Sequence, residues 1–423
     1  MPSVSAKEWS EQTAFAGFDW ATDHHDVVVV GSDGTVLDTF SFDETAAGWQ
    51  QLRERLTAGT PVAIETSSGS AVERLLDGGY AVYPVNPLSS KQYRERKAPS
   101  GIKDDELDAW SLADALRTDG FGWRRLQADD PLTVELRLLC RDEIALIEQR
   151  TALVNQLRAT LREYYPAALE IFDDWTVPAP WAFIERFATP EALLAAGKRQ
   201  WEKFLHTHKL YHSKELYAKR LELMARAKEF CGSAGVTNAK RMLAGALAAQ
   251  LRVLQRHLDG YREKIMDRFK QHPDHDLFGS LPGVGEKLGP RLLSELGDHR
   301  DRFDSPESLQ CYAGTAPVTI KSGKRGKPGL VRYRRACQKH LRATVQHWSA
   351  FSCRKCTWAQ AYYQHKRDEG KSHNCALRCL GQRWLKILWK MWQTGTPYDA
   401  ELHQRNQVQH GSWVIKLAPV TAP

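Results

Sequence analysis

The order of short apolar runs in the first 120 residues constrains this chain more than any other feature. Ala14–Phe18, Val27–Val30 and Val36–Phe40 read as strands, and Ser32-Asp33-Gly34 is a turn signal between the last two. A helical pattern follows at about Ala46–Leu56, then a strand at Val62–Glu65 and a helix from about Ser70. A strand at Ala81–Val85 and a helix from about Lys103 to Leu116 complete the series. Three strands in succession, then alternating helix and strand, predict an α/β domain with a mixed sheet over residues 14–125.

The acids of this region stand at informative places. Asp19 closes the first run in Gly17-Phe18-Asp19-Trp20, and Glu65 closes the fourth in Ala63-Ile64-Glu65-Thr66. Functional groups in open α/β sheets gather beyond the carboxyl ends of strands. Asp105 and Asp108 are three apart on a helix and share a face. Asp104 and Asp108 are also one turn apart, so periodicity alone leaves Asp104 and Asp105 both open. Taken singly, each acid also has an ordinary reading as a turn or cap residue. Carboxylates that converge repel one another unless they hold hard divalent cations. Two such ions, Mg2+ or Mn2+, stabilise both the attacking and the leaving oxygens of a phosphodiester.

Charge is distributed unevenly along the chain. Residues 1–120 carry 10 Lys/Arg against 20 Asp/Glu, a balance of −10, whereas residues 314–390 carry 18 against 2, a balance of +16. The basic region is interleaved with Trp348, Trp358, Tyr362, Tyr363, Trp384 and Trp389, the composition of a nucleic-acid surface. Its glycine-punctuated stretch Leu309–Arg335 carries Ser322 among Lys321, Lys324, Arg325 and Lys327. A serine oxygen is a weak nucleophile unless it is activated and the group it attacks is neutralised. These cations suit a phosphate better than an acyl carbonyl. Ser322 therefore reads either as a hydrogen-bond donor in a phosphate-gripping loop or as a nucleophile. A basic helix is expected over Val331–Ala343, with Arg332, Arg334 and Arg335 on the flanks of the phosphate. Upstream, Leu281-Pro282-Gly283-Val284-Gly285 before the helical Glu286–Leu296 resembles a helix-hairpin-helix turn. There Gly283 and Gly285 allow backbone N–H groups to approach a phosphate.

Between these regions, Leu136, Leu139, Ile144, Ile147, Val154, Leu157 and Leu161 recur at helical spacing. Further helices are expected at about Glu191–Phe204, Ser213–Phe230 and Thr237–Phe269. Residues 130–270 thus read as a helical, coiled-coil linker or oligomerisation region. A mainly helical, serine-bearing domain over 277–400 and a flexible tail over 401–423 follow. The fold class is α/β plus all-α. No apolar run approaches the ~18 residues of a membrane span, and the opening MPSVSAKEWSEQ lacks the pattern of a secretory signal. Eight scattered cysteines fit reduced thiols. A cytoplasmic, nucleoid-associated prokaryotic protein without a membrane partner is expected. Cys353-x-x-Cys356 and Cys375-x-x-x-Cys379, with His373 nearby, have zinc-like spacing, but both pairs read as lying within helical patterns.

The β-β-β-α-β-α-β-α order with Asp19, Glu65, Asp105 and Asp108 resembles the RuvC-like, RNase H-type DEDD domain. Lys103-x-Asp105-x-x-Asp108-Ala109 resembles the third signature of the DEDD insertion-sequence transposases, the bridge recombinases. Members of that family often carry Thr or Ser where this chain has Asp104. Tyr312-x-Gly314-x-x-Pro317 followed by Ser322-Gly323 resembles the serine-bearing C-terminal domain of the same family. The likeness spans about Ala14–Leu161 and Leu277–Thr394.

This resemblance implies a DNA transposase or recombinase in which the four acids hold Mg2+ and Ser322 attacks the DNA backbone, forming a phosphoserine. It implies donor and target DNA, a structured guide (bridge) RNA that pairs with both, and a homo-oligomer, dimer or tetramer. One protomer's acidic domain would then complete another's serine site. Three rivals stand beside it. A RuvC-like structure-specific nuclease would use water as the attacking group. An actin-like sugar kinase would use Gly17-Phe18-Asp19-Trp20-Ala21-Thr22 as its first phosphate motif, but no second such loop follows. A non-catalytic nucleic-acid-binding protein would not need the acids. Tyr312 and Tyr333 as recombinase nucleophiles lack the accompanying Arg/His framework.

Overall fold

The computed structural model describes residues 5–97, 104–211, 213–228, 232–320 and 330–413. The chain divides into two compact units. One is built from the described parts of Met1–Asp130, Gly297–Thr396 and Gln404–Pro423, the other from Pro131–Leu296 with Pro397–His403.

In the first unit a short helix α1 (Ala6–Ser10), capped reciprocally by Ser5 and Glu8, precedes the sheet. Strands β1 (Ala14–Trp20), β2 (His24–Gly31) and β3 (Val36–Asp43) form an antiparallel meander. Then come α2 (Ala46–Arg55), β4 (Pro61–Ile64), α3 (Ser70–Asp77) and β5 (Ala81–Pro84). β4 lies parallel to β1 and β5 parallel to β4, giving the order β3-β2-β1-β4-β5. Helices α4 (Pro87–Lys97) and α5 (Asp105–Asp119) follow. α4 has no apolar stripe.

Strand alternation sorts the core into two layers. Ala16, Phe18, Val27 and Val29 meet Trp49, Leu52, Val72 and Leu75 of α2 and α3. Phe15, Val28, Val30 and Ala63 meet Ala109, Leu112, Ala113 and Leu116 of α5. Each large side chain buried here contributes about 1.5–3 kcal/mol. The result is the mixed-sheet, RNase H-like arrangement expected of the fold class.

The second unit is helical. Its long members, α6 (Pro131–Tyr164) and α11 (Ala234–Gln271), run antiparallel. Glu135 pairs with Arg268, Glu143 with Arg262, Arg150 with Gln255 and Glu163 with Lys240, so position rises along one helix as it falls along the other. At ~1.5 Å per residue each is roughly 50 Å long. Between them α7 (Ala167–Ile171), α8 (Pro178–Arg186), α9 (Pro190–Thr207) and α10 (Lys214–Ala225) enclose Trp175, Trp181, Phe183, Trp201 and Phe204. Helices α12 (His275–Gly279) and α13 (Gly285–Leu296) meet at the glycine turn, where Gly283 (φ 82°) and Gly285 (φ 52°) are left-handed.

The chain then returns to the first unit through α14 (Pro306–Tyr312), the hairpin β6 (Pro317–Ile320) and β7 (Leu330–Tyr333), and α15 (Lys339–Ser352). α16 (Thr357–Asp368) and α17 (His373–Thr394) pack with α15 around Trp348 and Trp384, and α18 (Ala400–Gln409) follows. The basic helix expected over Val331–Ala343 needs correction. Val331 and Tyr333 favour extended backbone, and Leu330–Tyr333 pairs with Pro317–Ile320. The helix begins only at Lys339, where the Gln338 side chain accepts from the backbone N–H groups of His340 and Leu341. The first cysteine pair also departs from the expected helical setting. Cys353 closes α15 and Cys356 precedes α16, so they bracket a helix–helix turn. Burial pushes the Cys353 thiol up to about 11. Among the described residues no helix is long and apolar enough to cross a membrane.

Candidate active site

Alternation along β1 puts Phe15, Gly17 and Asp19 on the face covered by α5. Gly17 decides how close that helix comes: a Cβ there would lie 1.8 Å from the Ala109 carbonyl oxygen and 2.6 Å from the Ala113 nitrogen. With only hydrogen at Gly17, the first turns of α5, carrying Asp105 and Asp108, reach the strand. Asp105 is the first residue of α5 and Asp104 its N-cap. Phe18 pairs with Ile64 across the parallel β1–β4 pair, so the next residues, Asp19 and Glu65, adjoin at the same carboxyl edge.

Two residues not singled out in the sequence join this group. Asp26 is the register partner of Asp19 on the antiparallel β2, and His24 lies two residues before it on the same face. Suitable ligand atoms of His24, Asp26 and Asp105 all lie within 4.8 Å of one another, the one such group of three among the described residues. His24 Nε2 is 3.5 Å from Asp26 Oδ2, and Ser41 donates to Asp26 Oδ1. Counting outward from the two-residue Thr22–Asp23 turn, across which the Ala21 N–H donates to the His24 carbonyl, would have placed Asp26 opposite Asp19, since hairpin register follows turn length.

Asp19 is half-buried, and its pKa is raised to about 6. Burial is the largest cause, followed by the charges of Asp108, Asp105, Glu65 and Asp26. Asp108 accepts from Arg94 on α4, whose Nη1 lies 2.8 and 2.7 Å from its two oxygens. Five carboxylates and one imidazole gather here, a donor set suited to a divalent cation, and three of them, His24, Asp26 and Asp105, have ligand atoms within the 4.8 Å that ligands at ~2.0–2.6 Å from one ion can bridge.

Asp19, Glu65, Asp105 and Asp108 are therefore brought together. Ser322, Lys321, Lys324, Arg325 and Lys327 lie outside the described residues. Arg332 is exposed on β7, and Arg334 and Arg335 lie in the bend before α15. The Arg334 Nε is buried with no hydrogen-bond partner among the described residues. Tyr312 is held at the end of α14, its hydroxyl accepting from Arg302 at 3.2 Å, while Arg378 lies over the Tyr333 ring at 5.3 Å. Gly283 and Gly285 belong to the second unit.

Comparison with known proteins matches these regions. Residues 16–166 match the DEDD family model of IS110 type, described as a transposase. Residues 275–364 match the transposase IS116/IS110/IS902 family. The mini-circle protein for IS117 of Streptomyces coelicolor is 32% identical over 405 residues, 93% of this chain and 97% of its own length. A 42 kDa protein of insertion element IS900 from Mycobacterium paratuberculosis is 30% identical over 393 residues, 90% of this chain and 96% of its own. The pilin gene-inverting protein of Moraxella bovis is 26% identical over 133 residues, 30% of this chain and 39% of its own. With an RNase H-like acidic domain at one end, the family's second segment near the other and relatives aligned over almost its whole length, this chain belongs to the IS110/IS116/IS902 family of transposases.

Proposed function

We propose that this transposase cuts and rejoins DNA by phosphodiester transesterification, with Ser322 as nucleophile beside an acidic divalent-metal site. The observation that supports this most is the crowding of Glu65, Asp105, Asp108 and Asp26 around the half-buried Asp19. Asp19, Glu65, Asp105 and Asp108 hold Mg2+ or Mn2+ in this reading, with Asp26 and His24 adjoining. When bound, such an ion polarises a phosphate oxygen and offsets its charge. The Ser322 Oγ forms a bond to phosphorus while a bond from phosphorus to a deoxyribose oxygen breaks. The hydroxyl proton ends on the released sugar oxygen. Attack by another strand's hydroxyl then reverses the step and returns Ser322, so the phosphodiester energy is conserved without a nucleotide cofactor. Lys321, Lys324, Arg325, Lys327, Arg332, Arg334 and Arg335 grip the flanking phosphates.

Residues 14–125 act as the metal-binding domain, 130–270 as the oligomerisation region, 277–400 as the serine domain and 401–423 as a tail. Gly283 and Gly285 position the nucleic acid without reading its sequence. Family membership favours a guide (bridge) RNA paired with donor and target DNA, and a dimer or tetramer in the bacterial cytoplasm, associated with the nucleoid. The name of the Moraxella relative, a gene inverter, favours rejoining over simple hydrolysis.

The test is to incubate the chain, its flanking non-coding RNA, labelled donor DNA and Mg2+, and look for a protein–DNA adduct on a denaturing gel. The expected adduct requires metal and disappears in Ser322→Ala. Cleavage without an adduct, retained in Ser322→Ala and lost in Asp19→Ala, would replace this reading with the hydrolytic nuclease.

A further inference from the structure

Asp108 already carries a cation of the protein's own making. Arg94 Nη1 is almost equidistant from Oδ1 and Oδ2 of Asp108, at 2.8 and 2.7 Å. A donor equidistant from both oxygens lies on the bisector of the carboxylate, the position a chelating metal ion takes. Both side chains are largely withdrawn from solvent, Arg94 at 26% exposure and Asp108 at 15%, so the pair differs from a loose surface contact. It also has a built support. α4 lies along α5, with the Tyr93 hydroxyl donating to Asp119 at 2.9 Å and Arg96 reaching Asp114 at 3.4 Å.

We propose that Arg94 is a resident countercation of the acidic site, holding Asp108 until a divalent ion displaces it. The inference rests on the reading of Asp108 as a metal ligand and adds a gate to it. A guanidinium and a divalent ion competing for one carboxylate repel each other, so metal entry requires Arg94 to leave the bisector. The arginine serves two ends. Before loading it offsets part of the repulsion among the acids, and it sets a threshold against adventitious metal. Apparent metal affinity is then the intrinsic affinity reduced by the fraction of molecules in which Asp108 is released. A pair that is closed in nine molecules out of ten lowers affinity about tenfold.

Mn2+ alone is the probe, titrated into the full chain without nucleic acid, with free Mn2+ read by electron paramagnetic resonance. Arg94→Gln, which removes the charge, is expected to bind Mn2+ about tenfold more tightly than the unchanged protein. Arg94→Lys, which keeps the charge but loses the planar fork, is expected to tighten binding by a smaller factor. Arg96→Gln, on the same helix but paired to Asp114, should match the unchanged protein. Equal or weaker binding in Arg94→Gln, with native circular dichroism, would show that Arg94 only positions Asp108. Should Arg94→Gln fail to fold, Arg94→Lys decides: tighter binding supports the gate, and equal or weaker binding ends it. Asp108→Asn separates the two levels. If it leaves Mn2+ binding unchanged, Asp108 is not a ligand and the underlying reading fails. If it weakens binding while the Arg94 variants do not tighten it, the gate alone fails.

Discussion

Two groups of acids in this molecule have opposite surroundings. In the helical unit Glu143, 2% exposed, lies between Arg262 and Arg291 at 3.3 and 2.7 Å, and the neighbouring Glu295 takes Arg141 through two nitrogens at 2.8 and 2.9 Å. Cation and anion there are matched, and the network ties α6, α11 and α13 together. Around Asp19 the acids outnumber the cations, and burial together with that surplus raises the Asp19 pKa to about 6. Matched charge locks helices in place. Surplus charge of one sign is stability given up, and it marks where something from outside completes the structure.

The comparison predicts opposite signs for acid removal. Glu143→Ala leaves Arg262 and Arg291 facing a buried gap and should cost about 3–5 kcal/mol, visible as a large fall in thermal midpoint. Gly17→Ala comes next. Its Cβ meets backbone that cannot move locally, so α5 must shift, costing about 1–3 kcal/mol and weakening Mn2+ binding. Asp19→Asn should do the reverse in chelator, raising stability by up to ~1 kcal/mol while abolishing strand cleavage and joining. A fall in stability for Asp19→Asn, comparable to that of Glu143→Ala, would erase the distinction.

The smallest effect is in pH. The folded state binds the Asp19 proton more tightly than the unfolded chain, whose aspartates titrate near ~3.9. The stability this supplies is complete below about pH 4 and is lost as pH rises through about 6. Thermal midpoints in chelator should therefore decline over that window relative to Asp19→Asn. Added Mn2+ should reverse the decline above it.

The strand order was legible because Val27–Val30 and Val62–Ile64 are short, β-branched runs bounded by turn residues, so local preference and tertiary pairing agree. The convergence of Asp19 and Glu65 followed from strand ends. Asp26 was missed because its place depends on hairpin register, which composition does not display. Arg94 was missed with its helix, since Pro87–Lys97 has almost no apolar periodicity to announce it. Over Val331–Ala343 the Arg/Leu/Ala content suggested a helix, but pairing with Pro317–Ile320 prevails, and that partner lies across a nine-residue connection. Misreadings cluster where a distant segment decides the local conformation.

The first unit is assembled from three stretches of chain, and Pro131–Leu296 separates the first of them from the other two. On a ribosome adding about 5–20 residues per second, the acidic half emerges roughly ten to thirty seconds before the segment that joins it. Each new molecule thus passes through an interval in which Met1–Asp130 exists without α14, β6, β7 and α15–α17. Synthesis order therefore leaves the acidic half without the rest of its unit until most of the chain has been translated.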